Sequence, residues 1–232
     1  MQAAASRGAA LVAFPELGLS GYTCDDLFHQ HALLDACEAA LGQVVAASAT
    51  LPITAVVGLP LRVDDRLFNC AVVVQGGQVL GVVPKTFLPN YAEFYEARQF
   101  NPASTTSRTE VSVLGRTVPF GSLLFECDDI SRLVFHVEIC EDLWVPIPPS
   151  SFAALAGATV LLNLSASNIT VGKADYRQRL VSMQSARCLA AYLYSSAGAG
   201  ESTTDLAWDG HVDIHEMGAL LAETPRFSTG PA

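Results

Sequence analysis

Three predicted strands of this 232-residue chain each end in a side chain that could take part in catalysis. Glu16 ends the segment LVAFPE, Lys85 ends LGVVPK, and Cys140 ends LVFHVEIC. Because functional groups in α/β sheets gather where strand ends converge, we expect these three side chains to meet at one point. A carboxylate can take the proton of a thiol and return it to a leaving amine, while an ammonium lowers the thiol pKa and neutralises a tetrahedral oxyanion. The set therefore predicts cleavage of a C–N bond through a thioester.

Each of these residues also has an ordinary interpretation. A cysteine at the end of an apolar strand is commonly a buried structural thiol, and single charges at strand ends commonly face solvent. His136 is a poor base for Cys140, because four residues along a strand span about 13 Å and proton transfer needs hydrogen-bond reach. The base for Cys140 must therefore come from another part of the chain.

The elements that must position these residues alternate between strands, helices and hairpins. Apolar patterning predicts strands at 11–16, 53–63, 133–140, 159–167 and 190–198, helices at 25–49, 152–158 and 176–190, and hairpins at 70–85 and 206–223. The hairpins are predicted to turn at Gly76-Gly77 and at Asp209-Gly210. Residues 90–119 are predicted to form an irregular segment with one edge strand near 110–114. The pattern is typical of the layered α/β class with mixed sheets, in one domain over 1–227 followed by a tail at 228–232.

Composition excludes several classes of partner. The formal charge is −10 and the sequence pI is about 4.8, so a non-specific binder of nucleic acid or of anionic membranes is not expected. The charge-free stretch at 143–172 contains three prolines and several Asn and Ser residues, which a spanning helix does not tolerate. No secretory signal opens the chain. We therefore expect neither a nucleic-acid partner nor a membrane partner.

The cysteines and histidines do not form a metal or disulfide motif. The six cysteines lie far apart, without a C-x-x-C pair, which favours reduced thiols in the cytoplasm. His211 and His215 have H-x-x-x-H spacing, but they fall in a predicted strand, where this spacing does not bring two zinc ligands together. No metal site is predicted.

Several segments resemble a known family. FPELGLSGY (14–22), PKTFLPNYAEFYEARQF (84–100) and EICEDLWVP (138–146) resemble the Glu, Lys and Cys signatures of the nitrilase, or carbon–nitrogen hydrolase, superfamily. More narrowly, the second and third segments, NLSASNITVGKADYR (163–177) and GAGESTTDLAWDG (198–210) resemble the glutaminase domain of glutamine-dependent NAD synthetases. The resemblance covers nearly the whole chain, and the motifs stand in the order of the family.

This resemblance implies a fold and a reaction. The fold is an αββα sandwich, with Glu16 as general base, Lys85 as electrostatic and proton-donating partner, and Cys140 as nucleophile. The implied reaction converts the side-chain amide of glutamine to glutamate and ammonia, and it needs no cofactor. The ammonia would amidate deamido-NAD at an ATP-dependent synthetase domain, which would be the partner of this chain. A homo-oligomer is also expected.

The resemblance also implies substrate-binding residues. Glu141 would supply a backbone amide to the oxyanion and hold the substrate amino group, and Glu96 would be a second acid that orients Lys85. Lys173 stands where the family commonly has an arginine, which would lose a planar bidentate grip on a carboxylate. The remaining expected contacts of glutamine are Tyr22, Tyr91, Phe94 and Ser167. For the aromatic wall formed by Tyr22 and Phe94, simple core packing is an open alternative.

Two departures from the family keep other interpretations open. The family sandwich begins with a strand and a full helix before the segment that matches FPE, and no S-G-G-x-D-S nucleotide loop is present, so a truncated or split glutaminase module is expected. A missing strand would leave an exposed sheet edge that favours association. The alternatives are a stand-alone amidase or carbamoylase, and a noncatalytic remnant that serves as an interaction module.

Overall fold

The computed structural model describes residues 1–228, which divide into two compact units, residues 1–123 and a second unit that begins at Leu124. The first unit holds a four-stranded mixed sheet and a separate two-stranded sheet, the second holds a six-stranded mixed sheet, and each unit has helices of its own. The single domain predicted over 1–227 stays a prediction. Of the predicted tail, residues 229–232 lie outside the described residues.

The first unit is built around a four-stranded sheet. Its elements are α1 (Gln2–Ser6), β1 (Leu11–Ala13), α2 (His31–Ser48), β2 (Thr54–Val63), β3 (Arg66–Gln75), β4 (Gln78–Pro84), β5 (Glu110–Val113) and β6 (Arg116–Pro119). The sheet has the order β1-β2-β3-β4, in which β1 is parallel to β2 and the other neighbours are antiparallel. The hairpin predicted at 70–85 is confirmed as β3 and β4. Near 110–114 the single predicted edge strand is the first half of a separate hairpin, β5 with β6.

One face of this sheet forms the apolar core of the first unit. Valines and leucines of β2 and β3 pack with Leu41 of α2 and with apolar residues of the β5–β6 hairpin. Each fully buried Val or Leu side chain contributes about 1.5–3 kcal/mol relative to an exposed one. This packing fixes the sheet whose strands β1 and β4 precede Glu16 and Lys85, two of the residues predicted to be catalytic.

The second unit contains a six-stranded sheet. Its elements are β7 (Leu124–Glu126), β8 (Val134–Ile139), α3 (Pro149–Leu155), β9 (Val160–Ser165), α4 (Lys173–Cys188), β10 (Ala191–Ser196), β11 (Val212–Glu216) and β12 (Ala219–Glu223). The strand order is β12-β11-β10-β9-β8-β7. The neighbours β8, β9 and β10 pair in parallel, and the pairs β7–β8, β10–β11 and β11–β12 are antiparallel. The helices α3 and α4 bury their apolar residues against Leu161 and Tyr192 of the sheet. The predicted α/β class with mixed sheets is confirmed.

The last hairpin turns at a different place from the one predicted. The turn lies at Met217-Gly218, between β11 and β12, and both residues have positive φ (49° and 87°), as a type I′ hairpin requires. The prediction at Asp209-Gly210 was wrong because Asp209 is buried and forms an ion pair with Arg177. An Asp-Gly pair predicts a turn only where its carboxylate can remain solvated, and here a long-range contact takes the carboxylate inside.

Among the described residues, no helix has the length and apolar character needed to cross a bilayer.

Candidate active site

Glu16 is held by a tight segment that follows β1. The chain continues from Pro15 into Leu17, whose φ is +52°, and packs directly on Gly58 of β2. A Cβ atom at position 58 would lie 2.4 Å from the Leu17 nitrogen, so only glycine allows this close approach. The Leu19 N–H donates to the Gly58 carbonyl at 3.0 Å and completes the contact. The buried Glu16 side chain is therefore placed by backbone packing.

Lys85 follows Pro84 at the end of β4, and its side chain is fully buried. Its Nζ donates hydrogen bonds to Glu16 Oε1 at 2.7 Å and to both carboxylate oxygens of Glu96 at 2.7 and 2.8 Å. Removing an ammonium from water costs several kcal/mol, and close anionic partners offset that cost. The structure thus brings together, within the first unit, one ammonium and the two carboxylates of Glu16 and Glu96.

Glu96 begins a short 3-10 turn, Glu96–Arg98, and is buried. Burial raises the pKa of the Glu96 carboxyl, and the charge of Glu16 raises it further, although Lys85 acts in the opposite direction. Tyr22 Oη donates to Glu96 Oε1 at 2.8 Å. Tyr22, expected to line a glutamine pocket, therefore also contacts the second acid.

Asn69 is a member of this group that the sequence reasoning missed. It lies in β3, it is buried, and its Nδ2 donates to Glu16 Oε1 at 2.7 Å. The available signal was an amide inside the otherwise apolar run LFNCAVVV. We call Glu16, Tyr22, Asn69, Lys85 and Glu96 the Lys85 cluster.

Tyr91 and Phe94 lie at the surface of the first unit. The Tyr91 side chain is exposed, and its ring meets the half-buried Phe94 ring edge to face, with centroids 6.4 Å apart. The Phe94 N–H donates to the Tyr91 carbonyl at 2.9 Å, which shapes the loop between Lys85 and Glu96. A contact of these rings with a substrate stays a prediction.

Cys140 stands at the carboxyl end of β8, where the chain turns into a 3-10 turn, Cys140–Leu143. Its φ is +44°, a left-handed value that costs a non-glycine residue about 1–3 kcal/mol. Asp142 Oδ2 accepts the Ile139 N–H at 2.9 Å and so fixes the start of the turn. A nucleophile on a strained strand-to-helix turn presents its reactive atom beside the first amides of the turn. Cys140 itself is buried.

Glu141 is half-buried within the same 3-10 turn, and its carbonyl accepts the Trp144 N–H at 2.8 Å. Its expected role at the oxyanion stays a prediction, as does the meeting of Cys140 with Glu16 and Lys85.

Ser167 and Lys173 follow β9 at the same carboxyl edge of the second sheet. Ser167 is buried, its N–H donates to Ser196 Oγ at 3.3 Å, and its own Oγ has no hydrogen-bond partner among the described residues. Lys173 Nζ lies 5.3 Å above the Trp144 ring and donates to Asn168 Oδ1. A buried hydroxyl without a partner is suited to receive a polar ligand.

A buried carboxyl two residues before Cys140 was also missed by sequence reasoning. Glu138 accepts hydrogen bonds from Tyr192 Oη and from the Ser150 N–H, the latter at 2.9 Å. Burial raises the pKa of this carboxyl, while the Tyr192 bond lowers it. The contacts tie the strand that carries Cys140 to α3 and β10. The charge in the apolar run LVFHVEIC was the available signal.

A second group of buried charges lies farther from Cys140 in the sequence. Arg177 Nη2 donates to Asp209 Oδ2 at 2.6 Å, and Arg177 Nε donates to His211 Nδ1 at 3.2 Å. Asp213 is 1% exposed, and neither of its carboxylate oxygens has a hydrogen-bond partner within residues 1–228. His211 Nε2 and His215 Nδ1 each lie 3.8 Å from one of these oxygens. We call these five residues the Arg177 cluster.

Burial raises the pKa of the Asp213 carboxyl to about 7 and lowers the pKa of both histidines. With Arg177 donating to Nδ1 of His211, the ring proton of His211 belongs on Nε2, which lies 2.9 Å from Glu223 Oε1. Within the part of the chain that the structure describes, no group of three or more His, Cys, Asp or Glu side chains could hold a metal ion.

The sequence of both units matches a known enzyme family. Residues 1–230 match the model of the carbon–nitrogen hydrolase family. The chain belongs to that family. It is 57% identical over 224 residues to a glutamine-dependent NAD(+) synthetase of Mycobacterium bovis, in an alignment that covers 96% of this chain and 33% of that protein. The chain thus spans about a third of the length of the curated relatives that it matches.

Solved carbon–nitrogen hydrolase structures have the same fold. A glutamine-dependent NAD(+) synthetase from Cytophaga hutchinsonii superposes with a TM-score of 0.86 at 29% identity, over 98% of this chain and 36% of that one. An amidase from Nesterenkonia sp. superposes with a TM-score of 0.75 at 19% identity, over 96% of this chain and 76% of that one. The second likeness shows the fold alone.

Proposed function

We propose that this chain hydrolyses the side-chain amide of glutamine to glutamate and ammonia. Cys140 attacks the amide carbon while Glu16 takes the thiol proton, and the tetrahedral oxyanion is stabilised by the charge of Lys85 and by the Glu141 backbone amide. The C–N bond then breaks, and the proton returns to the leaving nitrogen, which departs as ammonia. Water, deprotonated by Glu16, hydrolyses the thioester to glutamate and restores the thiol.

The observation that carries this proposal is the Lys85 cluster. The buried Lys85 ammonium lies within 2.8 Å of carboxylate oxygens of both Glu16 and Glu96, which are buried as well. A fold gains little stability from such a group compared with apolar packing, so its retention favours a chemical role. In a carbon–nitrogen hydrolase, a buried acid–ammonium pair is suited to proton transfer and to oxyanion stabilisation.

Glutamine is the proposed substrate because curated relatives that are 53–57% identical to this chain bear the name glutamine-dependent NAD(+) synthetase. The partnerless Ser167 hydroxyl supports a polar ligand, and Lys173 is assigned to the substrate carboxylate. We assign the walls and the remaining contacts of the substrate pocket to Tyr22, Tyr91 and Phe94, and the orientation of Lys85 to Glu96.

The use of the ammonia is also part of the proposal. A synthetase domain outside this chain would bind ATP and deamido-NAD and would amidate the latter to NAD, whereas the hydrolysis itself uses no cofactor. The cysteines of this chain are all free thiols, which supports a reducing compartment, and we propose the cytoplasm. Ligase association and assembly as a homo-oligomer belong to the same proposal.

Ammonia release from glutamine, compared with asparagine and simple amides, tests the substrate assignment. Cys140→Ala should abolish turnover, with a loss of about 10³-fold or more, because the thioester cannot form. Cys188→Ala is the matched control, since Cys188 is a half-buried thiol of the same unit, and it should leave turnover nearly unchanged. Equal losses from both substitutions would contradict a nucleophilic role for Cys140.

The rate of labelling with iodoacetamide tests whether Cys140 is an activated thiol, as a catalytic role requires. An activated thiolate reacts fast near neutral pH, so Cys140 should be labelled before Cys37 and Cys188, whose thiol pKa values are raised by burial. In the ammonia-release assay described above, a preference for simple amides over glutamine would indicate a stand-alone amidase. Labelling of Cys140 no faster than Cys37 would contradict catalysis.

A further inference from the structure

Asn69 occupies a costly position inside β3. It is 1% exposed and stands between Phe68 and Cys70, which are both fully buried. Its Oδ1 has no hydrogen-bond partner among the described residues, and a buried polar atom in that state costs about 1–3 kcal/mol. Because an apolar residue would avoid this cost, packing alone does not explain an asparagine here.

The contacts of Asn69 reach both charged residues of the proposed reaction. Its Nδ2 donates to Glu16 Oε1 at 2.7 Å, and its main-chain carbonyl accepts the Lys85 N–H at 2.8 Å. Lys85 Nζ donates to the same Oε1 at 2.7 Å. Only the first of these bonds depends on the Asn69 side chain, so a substitution can remove it and leave the main-chain pairing of β3 and β4 in place.

Two donors on one oxygen restrict the Glu16 carboxylate. The terminal torsion of a glutamate is broad and roughly two-fold, so a single ion pair leaves its plane poorly defined. Asn69 and Lys85 approach Oε1 from different elements, β3 and the end of β4, and together they define that plane. A neutral donor also stabilises the ionised form of a carboxylate without adding a second positive charge.

We propose that Asn69 is a positioning residue that holds the Glu16 carboxylate in the orientation that accepts the thiol proton, an inference that rests on the function proposed above. Asn69 acts through Glu16 and does not touch the reacting amide. The rate of the chemical step should therefore depend on the Asn69 donor, while substrate affinity should not.

The first test is Asn69→Leu in the full chain, which keeps a side chain of similar shape and removes the donor. Loss of a hydrogen bond to a charged group should lower kcat about 10- to 100-fold, with KM within about 2-fold of the unsubstituted chain. Val72→Ala is the matched control, because Val72 lies in the same strand and packs in the apolar core. That control loses packing and should retain its kcat at temperatures where it is folded.

The second test is Asn69→Asp, assayed as a ratio to the unsubstituted chain across pH. An ionised carboxyl at this position accepts rather than donates and repels Glu16, whereas a protonated one donates an O–H. The activity ratio should therefore rise as the pH falls, and Asn69→Asp should be less active than Asn69→Leu at high pH. If Asn69 had a purely structural role, the activity ratio of Asn69→Asp would not rise as the pH falls.

Different results would contradict the role of Asn69 and the glutaminase function on which it rests. If the unsubstituted chain releases ammonia but Asn69→Leu loses no more kcat than Val72→Ala, or if the Asn69→Asp ratio is flat with pH, the role of Asn69 is wrong and the glutaminase function stands. If the unsubstituted chain releases no ammonia from any amide, the proposed function itself is contradicted, and the role of Asn69 falls with it.

Discussion

Each unit buries a cluster of charged residues, and the two clusters differ in the hydrogen-bond partners of their carboxylates. In the Lys85 cluster, Glu16 and Glu96 both accept hydrogen bonds from the same ammonium. In the Arg177 cluster, Asp209 is paired at 2.6 Å, while Asp213 has no hydrogen-bond partner within the described residues. Burial raises the pKa of both Glu96 and Asp213 to about 7, but only Glu96 has a cation within hydrogen-bond distance to stabilise its ionised form.

We propose that the Lys85 cluster takes part in proton transfer and that the Arg177 cluster mainly affects stability. Lys85 fixes a charge beside a base, which is what an amide-cleaving reaction uses. Arg177 stacks 5.5 Å above the Tyr194 ring and joins α4 to the segment before β11, where it organises the end of the sheet. Substitutions in the two clusters should therefore separate activity from stability.

The largest effect is expected for Lys85→Met. This change leaves two buried carboxylates without their cation, so turnover should fall by about 10³-fold or more, and the free energy of unfolding should fall by about 3–5 kcal/mol. Because an uncompensated Glu96 ionises with difficulty, the loss of stability should be larger at pH 8 than at pH 5. Urea unfolding and ammonia release at both pH values measure the two effects. A folded, active Lys85→Met chain would contradict the proposed role.

Arg177→Met should show the opposite balance between stability and activity. It removes the 2.6 Å partner of the buried Asp209 and leaves only Arg226 at 3.7 Å, so the free energy of unfolding should fall by about 3 kcal/mol, the low end of the range for a broken buried ion pair. Turnover per folded molecule should change far less than in Lys85→Met, since Arg177 has no assigned role in the reaction. Urea unfolding followed by an assay of the folded fraction measures both quantities. A loss of turnover equal to that of Lys85→Met would remove the distinction between the clusters.

Asp213→Asn should stabilise the chain in a pH-dependent way. The unfolded carboxyl ionises near 3.8 and the folded one near 7, so stability is lost as the pH rises through this window. Replacing the acid removes that loss, with a gain of about 4 kcal/mol above pH 7 and almost none below pH 4. Arg177, Glu223 and the two histidines face this carboxyl, and the histidines, whose pKa values are lowered, destabilise both chains in acid.

The measurement for Asp213→Asn is the difference in unfolding free energy between the two chains at pH 5 and at pH 8. The shared contribution of the histidines cancels in that difference. A gain that is equal at both pH values would mean that Asp213 is not the group that titrates.

The smallest effect is expected for Arg108→Ala. Arg108 pairs with Asp64 at 2.7 Å in the first unit, but both side chains are more than half exposed. Water and salt screen such a pair, so neither the melting temperature nor turnover should change measurably. A substantial loss would show that exposure does not separate this pair from the buried clusters, and it would weaken the comparison between them.

Local patterns in the sequence predicted much of the fold. Apolar runs of strand length located β2, β8, β9 and β10, and Gly76-Gly77 located a hairpin, because side-chain periodicity and turn chemistry act over a few residues. The same patterns failed at Asp209-Gly210, where a buried ion pair with Arg177 overrides the turn preference. Nothing local distinguishes an Asp that remains in water from one that is paired by a residue 32 positions away.

The candidate site shows the same contrast between local features and long-range contacts. The sequence by itself determined which strand ends carry Glu16, Lys85 and Cys140, since residue type and strand termination are local properties. Only the tertiary structure decided that Glu16 packs on Gly58 and shares its Oε1 between Lys85 and Asn69, 69 and 53 residues away. Such contacts depend on strand order and register, which bring distant residues to one point and leave no periodic trace along the chain.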